Sequence, residues 1–152
     1  MTDYKGVIFD LDGTLIDTMD IWKDIDKEFL SKRGIDVPDD YMEAISHLGG
    51  YDTAIYTIDR FNLSDTPEKL IQEWVEMAID KYPLVNTKPG AEEYINYLCS
   101  NGIKIAVATA TEPEIADAGI KFRSFARDIS CIVTTSQVKK GKTHPDIYFE
   151  CL

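Results

Sequence analysis

Two carboxylates stand two residues apart near the N-terminus, in the string Phe9-Asp10-Leu11-Asp12-Gly13-Thr14-Leu15-Ile16-Asp17. The apolar run Val7-Ile8-Phe9 suits a parallel strand covered on both faces, and the Asp/Gly/Thr cluster after it marks a turn. On a tight turn Asp10 and Asp12 can converge on one metal ion and one substrate while Leu11 packs away. A carboxylate is already ionised at pH 7, so as a nucleophile it needs no base; it needs relief from the charge of an anionic target such as a phosphate. Mg²⁺ held by hard oxygen ligands would give that relief. A second carboxylic acid close by could protonate a leaving oxygen and later deprotonate a water. Gly13 would let the backbone come close to the phosphate. Taken alone, however, Asp-x-Asp is more often an ordinary acidic turn capping a strand.

The elements that must position these groups follow from periodicity. After the turn, Ile21, Trp22, Ile25 and Phe29 recur at helical spacing, with Gly34 as a stop. A second helix carries Met42, Ile45 and Leu48, entered through Pro38-Asp39 and ended by Gly49-Gly50. Ala54, Ile58 and Phe61 form a third; a fourth starts at Pro67 and places Leu70, Ile71, Trp74, Val75 and Ala78 on one side. Both tryptophans are expected in the core. Pro83 to Gly90 reads as a linker. Beyond it the order is a helix through Tyr94, Ile95 and Leu98, a strand at Ile103–Ala108, a helix after Pro113, a strand at Ser130–Thr134 and a helix near Pro145. This is the alternation of a parallel sheet with helical crossovers. The expectation is an α/β fold: a three-layer Rossmann-like core, residues 1–15 and 88–152, with a four-helix cap inserted at residues 16–87. Its hinges would lie near Ile16–Asp20 and Pro83–Lys88.

Of 152 residues, 16 are Lys or Arg and 27 Asp or Glu, a formal charge of −11. Such a surface repels nucleic acid and anionic membranes, which argues against either as partner. Cys99, Cys131 and Cys151 are odd in number and sit in apolar stretches, so they read as buried packing residues in a reducing compartment. No apolar run approaches the roughly 20 residues needed to cross a bilayer, and a strand follows Met1 almost at once; a soluble cytoplasmic protein is expected.

Two further strings give the turn its context. Ile105-Ala106-Val107-Ala108-Thr109 ends a core strand in Thr, and Gly141-Lys142-Thr143-His144-Pro145-Asp146-Ile147-Tyr148 puts a Lys just before a helix. In this order the three strings resemble the signatures of the haloacid dehalogenase-like superfamily, from residue 4 to the C-terminus. The helical insert resembles the cap of its β-phosphoglucomutase-like phosphatases. The resemblance implies that Asp10 is the nucleophile and a metal ligand, and that Asp12 is the general acid/base and gives its carbonyl to Mg²⁺. Thr109, with the Ala110 N–H beside it, would donate to the transferring phosphoryl group; Lys142 would neutralise phosphate charge and hold Asp10 ionised. Asp146 would support the helix start, Thr143 stands where the family usually has Pro, and Lys139 and Lys140 read as a solvated run. Asp12 itself favours phosphatases and phosphomutases over dehalogenases.

The family's fourth signature, acidic residues after a further strand, has no counterpart before Leu152. The expectation is therefore a C-terminally incomplete core with weak activity and an apolar first strand open to self-association. The implied activity is a Mg²⁺-dependent phosphomonoester phosphatase working through a phospho-aspartate on a small phosphorylated metabolite such as a sugar phosphate. The alternatives are a phosphosugar mutase and an inert fragment that only binds. His47, Arg60, Lys69, Lys81 and Lys88 are weaker candidates for substrate contact, and Glu112 reads as a helix-start carboxylate.

Overall fold

The computed structural model describes residues 4–46 and 48–152. Strand β1 is Gly6–Phe9, followed by helices α1 (Ile21–Ser31), α2 (Tyr41–Ile45), α3 (Gly50–Phe61) and α4 (Pro67–Lys81). Then come α5 (Ala91–Ser100), β2 (Lys104–Thr109), α6 (Pro113–Ile120), β3 (Ile129–Thr134) and α7 (Asp146–Glu150). Contacts divide the chain into two compact units, residues 1–19 with 79–152, and residues 20–78.

The first unit holds a three-stranded parallel sheet in the order β1-β2-β3. In β2 every residue after Lys104 is buried, as a continuous apolar run in the middle of a covered sheet requires. Phe9 pairs with Val107 and Thr109 with Thr134, so the carboxyl ends of the strands lie in register; an irregularity between Ile105 and Ala106 leaves Ser130 unpaired in β3. Among the described residues β1 has no strand on its other side. Ile147 of α7 is fully buried and packs with Ala108 and Val133, which fixes the start of α7 against the ends of β2 and β3. Ile115, Ala116 and Ile120 bury the inner face of α6.

The second unit is helical. Ile25 and Phe29 of α1 are fully buried, and Phe29 meets Trp74 of α4 edge to face at 5.5 Å. Past the end of α1, Arg33 lies over the Phe29 ring and forks onto Glu73, with Nη1–Oε1 at 3.1 Å and Nη2–Oε2 at 2.7 Å. That bidentate pair holds the Glu73 carboxyl below its usual range. Gly34 closes the turn after α1 with φ +70°, a conformation glycine adopts without cost.

Three expectations need correction. The second helix is shorter than its apolar spacing suggested: α2 stops at Ile45, and Gly49-Gly50 opens α3 instead of ending α2. Gly49 is extended, with φ −76° and ψ 163°, as a residue preceding a helix must be, and Asp52 lies in the first turn. Trp74 is buried, but Trp22 is 38% exposed. The three cysteines are free and only partly buried. No helix among the described residues is long and apolar enough to cross a membrane.

Candidate active site

The turn after β1 is built on one carbonyl. Leu11 O accepts from the N–H groups of Thr14, Leu15 and Ile16, at 3.3, 2.9 and 3.2 Å, and Gly13 N–H returns to Ile16 O at 2.9 Å. Gly13 has φ +71°, and a Cβ there would meet Met19 Sδ at 3.1 Å, so only glycine fits this close without strain. Leu11 is fully buried and anchors the turn. The residues on either side of it, Asp10 and Asp12, are left at the carboxyl end of β1, where open α/β sheets bind ligands.

Their surroundings differ. Asp10 is half exposed, and its Oδ1 is held by the Lys142 ammonium from the segment before α7. Asp12 is met by hydroxyls instead. Its Oδ1 accepts from Thr18 at 2.9 Å and Tyr82 at 2.8 Å; its Oδ2 accepts from Thr109 at 3.3 Å and from Thr111. Thr109 in turn receives the Thr111 N–H at 3.1 Å, so the loop after β2 is pinned to the carboxylate by two of its side chains. Four donors from three chain segments fix the Asp12 rotamer. Arg123, past the end of α6, buttresses one of those segments by donating to Gly119 O, Thr87 Oγ1 and Tyr82 O at 2.9, 3.2 and 3.3 Å.

Asp10, Asp12, Thr109 and Lys142 thus converge, and Gly13 and the exposed Ala110 flank them. Thr18, Tyr82 and Thr111 escaped the sequence reading, because a hydroxyl in a loop carries no signal of its own. Only the closeness of Thr111 to Thr109 hinted at it. Asp146 begins α7. Glu112 stands at the N-cap of α6 without a side-chain capping bond. Of the weaker candidates, Arg60 is paired with Asp40 at 2.6 Å, Lys69 with Asp65 at 2.9 Å and Lys88 with Asp17 at 3.2 Å. Their positive charges are committed to carboxylates within the chain. His47 lies outside the described residues.

A divalent cation finds hard donors here. The Asp10 carboxylate and the Asp12 carbonyl are oxygens of the kind Mg²⁺ takes, and none of the turn hydrogen bonds among the described residues ends on that carbonyl. No cluster of three or more His, Cys, Asp or Glu side chains suited to a metal occurs among the described residues. The donor set therefore fits an ion that draws its remaining ligands from phosphate and water, a common arrangement for Mg²⁺.

A parallel sheet with an Asp-x-Asp turn after its first strand, a lysine on the first carboxylate and a threonine ending the next strand defines an α/β protein built around a carboxylate site. The pattern of the haloacid dehalogenase-like hydrolases matches residues 7–152, and the chain belongs to that family. Among its relatives is the bifunctional riboflavin kinase/FMN phosphatase of Arabidopsis thaliana, 27% identical over 95% of this chain and 38% of that protein. Another is a phosphorylated carbohydrates phosphatase of Thermotoga maritima, 25% identical over 95% of this chain and 67% of its own length. The fold superposes on the structure of a provisional β-phosphoglucomutase from Thermotoga maritima with a TM-score of 0.82, at 25% identity, covering 97% of this chain and 69% of that one. The chain spans well under two thirds of the first of these relatives.

Proposed function

We propose that the protein is a Mg²⁺-dependent phosphomonoester phosphatase that forms a phospho-aspartate on Asp10. The observation that carries this reading is the pairing of Asp10 with Lys142 at the end of β1, beside Asp12. Asp10 Oδ attacks phosphorus while the P–O bond to the leaving group breaks. Asp12 gives its proton to the leaving oxygen and later takes one from the water that attacks the acyl phosphate, releasing phosphate and restoring Asp10. Lys142 and the Thr109 hydroxyl offset charge on the transferring group, and Gly13 and the Ala110 N–H lie close to it. Mg²⁺, held by the Asp10 carboxylate and the Asp12 carbonyl, would screen two anions from each other during approach. To serve as acid, Asp12 must exchange at least one of its hydroxyl partners for the substrate.

The substrate is a small phosphorylated metabolite such as a sugar phosphate. This is the class named by the carbohydrate phosphatase relative, and the net charge of −11 disfavours nucleic acid and anionic membranes. Substrate choice falls to the helical unit, acting as a cap. The free cysteines accord with a cytoplasmic location. The open side of β1 is a surface for self-association. The structural likeness to a provisional β-phosphoglucomutase favours a phosphosugar mutase as second reading, marked by dependence on a bisphosphate activator.

The test is phosphate release from a panel of small phosphomonoesters and an aryl phosphate, with and without Mg²⁺. Release that needs both the metal and Asp10, and vanishes in Asp10→Asn, is the expected outcome. Release equal in the variant would defeat the phospho-aspartate route, and none from either protein would favour a chain that only binds.

A further inference from the structure

Two of the chain's three cysteines meet in the sheet-bearing unit, and the periods of β3 and α7 bring them there. Cys131 lies two residues before Val133 on β3, so both point to one face of the sheet. Cys131 is in register with Ala106 of β2, which is in register with Ile8 of β1. Cys151 follows Ile147 by four residues, on the same side of α7. Ile147 is fully buried against Ala108 and Val133, and Ile8, Cys131, Val138 and Cys151 pack around that cluster. The Cys131 thiol donates to Cys151 O at 3.9 Å, and the Cys151 thiol faces Ile147 O at 3.3 Å and Val107 O at 3.9 Å. Burial, and after it the nearness of the Cys131 thiol, push the Cys151 thiol up.

Both cysteines are only partly buried, and both line a groove of about 360 Å³ along this face, together with Val7, Ile8, Ile105 and Ala106. A small reagent in solution therefore reaches the pair. Packing alone asks each position for a small apolar side chain, and any such residue would serve. Two thiols side by side can do something else. Their contacts among the described residues are weak sulfur–carbonyl ones, which cost little to give up in exchange for a covalent bond. We propose that Cys131 and Cys151 form a reversible thiol–disulfide site, closed by a low-molecular-weight disulfide such as glutathione disulfide.

The Cys131 thiolate attacks one sulfur of that disulfide; its S–S bond breaks and one glutathione thiolate leaves. The Cys151 thiolate then attacks the Cys131 sulfur, and the second glutathione thiolate leaves. The two protons given up by the protein thiols pass to the two glutathione thiolates, so two protein thiols are oxidised as one disulfide is reduced. Cys151 suits the second step. Its raised pKa leaves little thiolate to attack a reagent in solution, but the mixed disulfide on Cys131 is held beside it. The bond fastens the end of α7 to β3 and closes residues 131–151 into a ring that carries Lys142, the lysine on Asp10. The residues needed lie outside the reacting groups, so the site stands whether or not the chain hydrolyses phosphate esters.

The experiment equilibrates the whole chain with oxidised glutathione at about pH 8, alkylates the thiols that remain and maps tryptic peptides without reduction. Cleavage after Arg127, Lys139 and Lys142 puts Cys131 on residues 128–139 and Cys151 on residues 143–152. The expected result is these two peptides joined, with the loss of two hydrogen atoms, Cys99 alkylated, and the pair separated again by dithiothreitol. The oxidised chain should also need more urea to unfold, because the bond constrains the unfolded state. Cys151→Ser should stop with glutathione on Cys131. Circular dichroism checks that this variant keeps its fold, and the map of the unaltered chain needs no variant. A bond to Cys99 or to a second copy, glutathione retained on the unaltered chain without an internal bond, or no oxidation at all would each overturn the proposal. So would a bond that forms only after unfolding in urea, or an oxidised chain less stable than the reduced one. Since the map reads sulfur chemistry alone, Asp10→Asn protein should give the same result.

Discussion

Asp12 and Asp26 are acids drawn away from bulk water, and the fold treats them in opposite ways. Asp12 receives four hydroxyl donors, and Asp26 receives none from the described residues. A carboxylate so fully engaged is held in one orientation, and on the proposed mechanism the hydroxyls that hold it would act through it on the reaction. Removing a single donor should leave substrate binding nearly unchanged and slow turnover. Tyr82→Phe and Thr111→Val should each lower kcat by about tenfold with KM within a factor of about three, since misplacing a general acid forfeits part of its usual 10²–10⁴-fold contribution. The check is steady-state kinetics on whichever phosphomonoester the protein hydrolyses best; a loss confined to KM would assign these hydroxyls to binding. Which carboxylate would stand beside a lysine was legible in the sequence, because Asp10 and Lys142 sit in strings whose residue types and order are distinctive. The donors to Asp12 were not. Thr18 and Tyr82 come from opposite ends of the long helical insertion, and only three-dimensional closure brings them together.

At the scale of elements, α6 reaches the site through one glycine. A Cβ on Gly119 would lie 3.0 Å from Tyr82 Cδ1 and 3.1 Å from Ile16 Cδ1, and both side chains are fully buried with no room to retreat. Gly119→Ala gains about 1 kcal/mol of helix propensity but overpacks this contact, at a cost of roughly 1–3 kcal/mol. The expected net effect is a loss of about 1 kcal/mol in urea unfolding. The phenol displaced by the new methyl is also the one that donates to Asp12, so activity should fall further than stability alone explains. Sheet and helix identities were readable from period and run length. The boundaries near Gly49 were not, because a glycine pair marks the start of a helix as readily as its end, and only backbone angles tell which. Trp22 was assigned to a core on spacing alone; it lies instead on the wall of a cavity, a difference that periodicity does not encode.

For the molecule as a whole, the formal charge of −11 works against any contact between copies, while the side of β1 that has no strand against it among the described residues works for one. The balance depends on salt. Screening shortens the reach of repulsion from about 30 Å at 0.01 M to about 8 Å at 0.15 M ionic strength. Sedimentation should therefore show association that strengthens with protein concentration and with added salt, and substituting Lys for Ile8 on β1 should abolish it. A single species of monomer mass under all these conditions would mean that charge and twist suffice to keep the edge single. Net charge was open to inspection from composition, and the open first strand was already expected from the family resemblance; the strand order β1-β2-β3 among the described residues agrees with it.

The pairing of Phe9 with Val107 has a consequence in time. Residues 20–78, which form a compact unit of local helical contacts, lie between these partners along the chain. Local helices assemble quickly, whereas a contact spanning so long a loop must overcome most of its closure entropy before it is rewarded. The strand that presents Asp10 is thus synthesised before the helical unit and among the last segments to find its place. Until β2 emerges and docks, the turn that carries Asp10 and Asp12 can close on itself but has neither Thr109 nor Thr111 beside it.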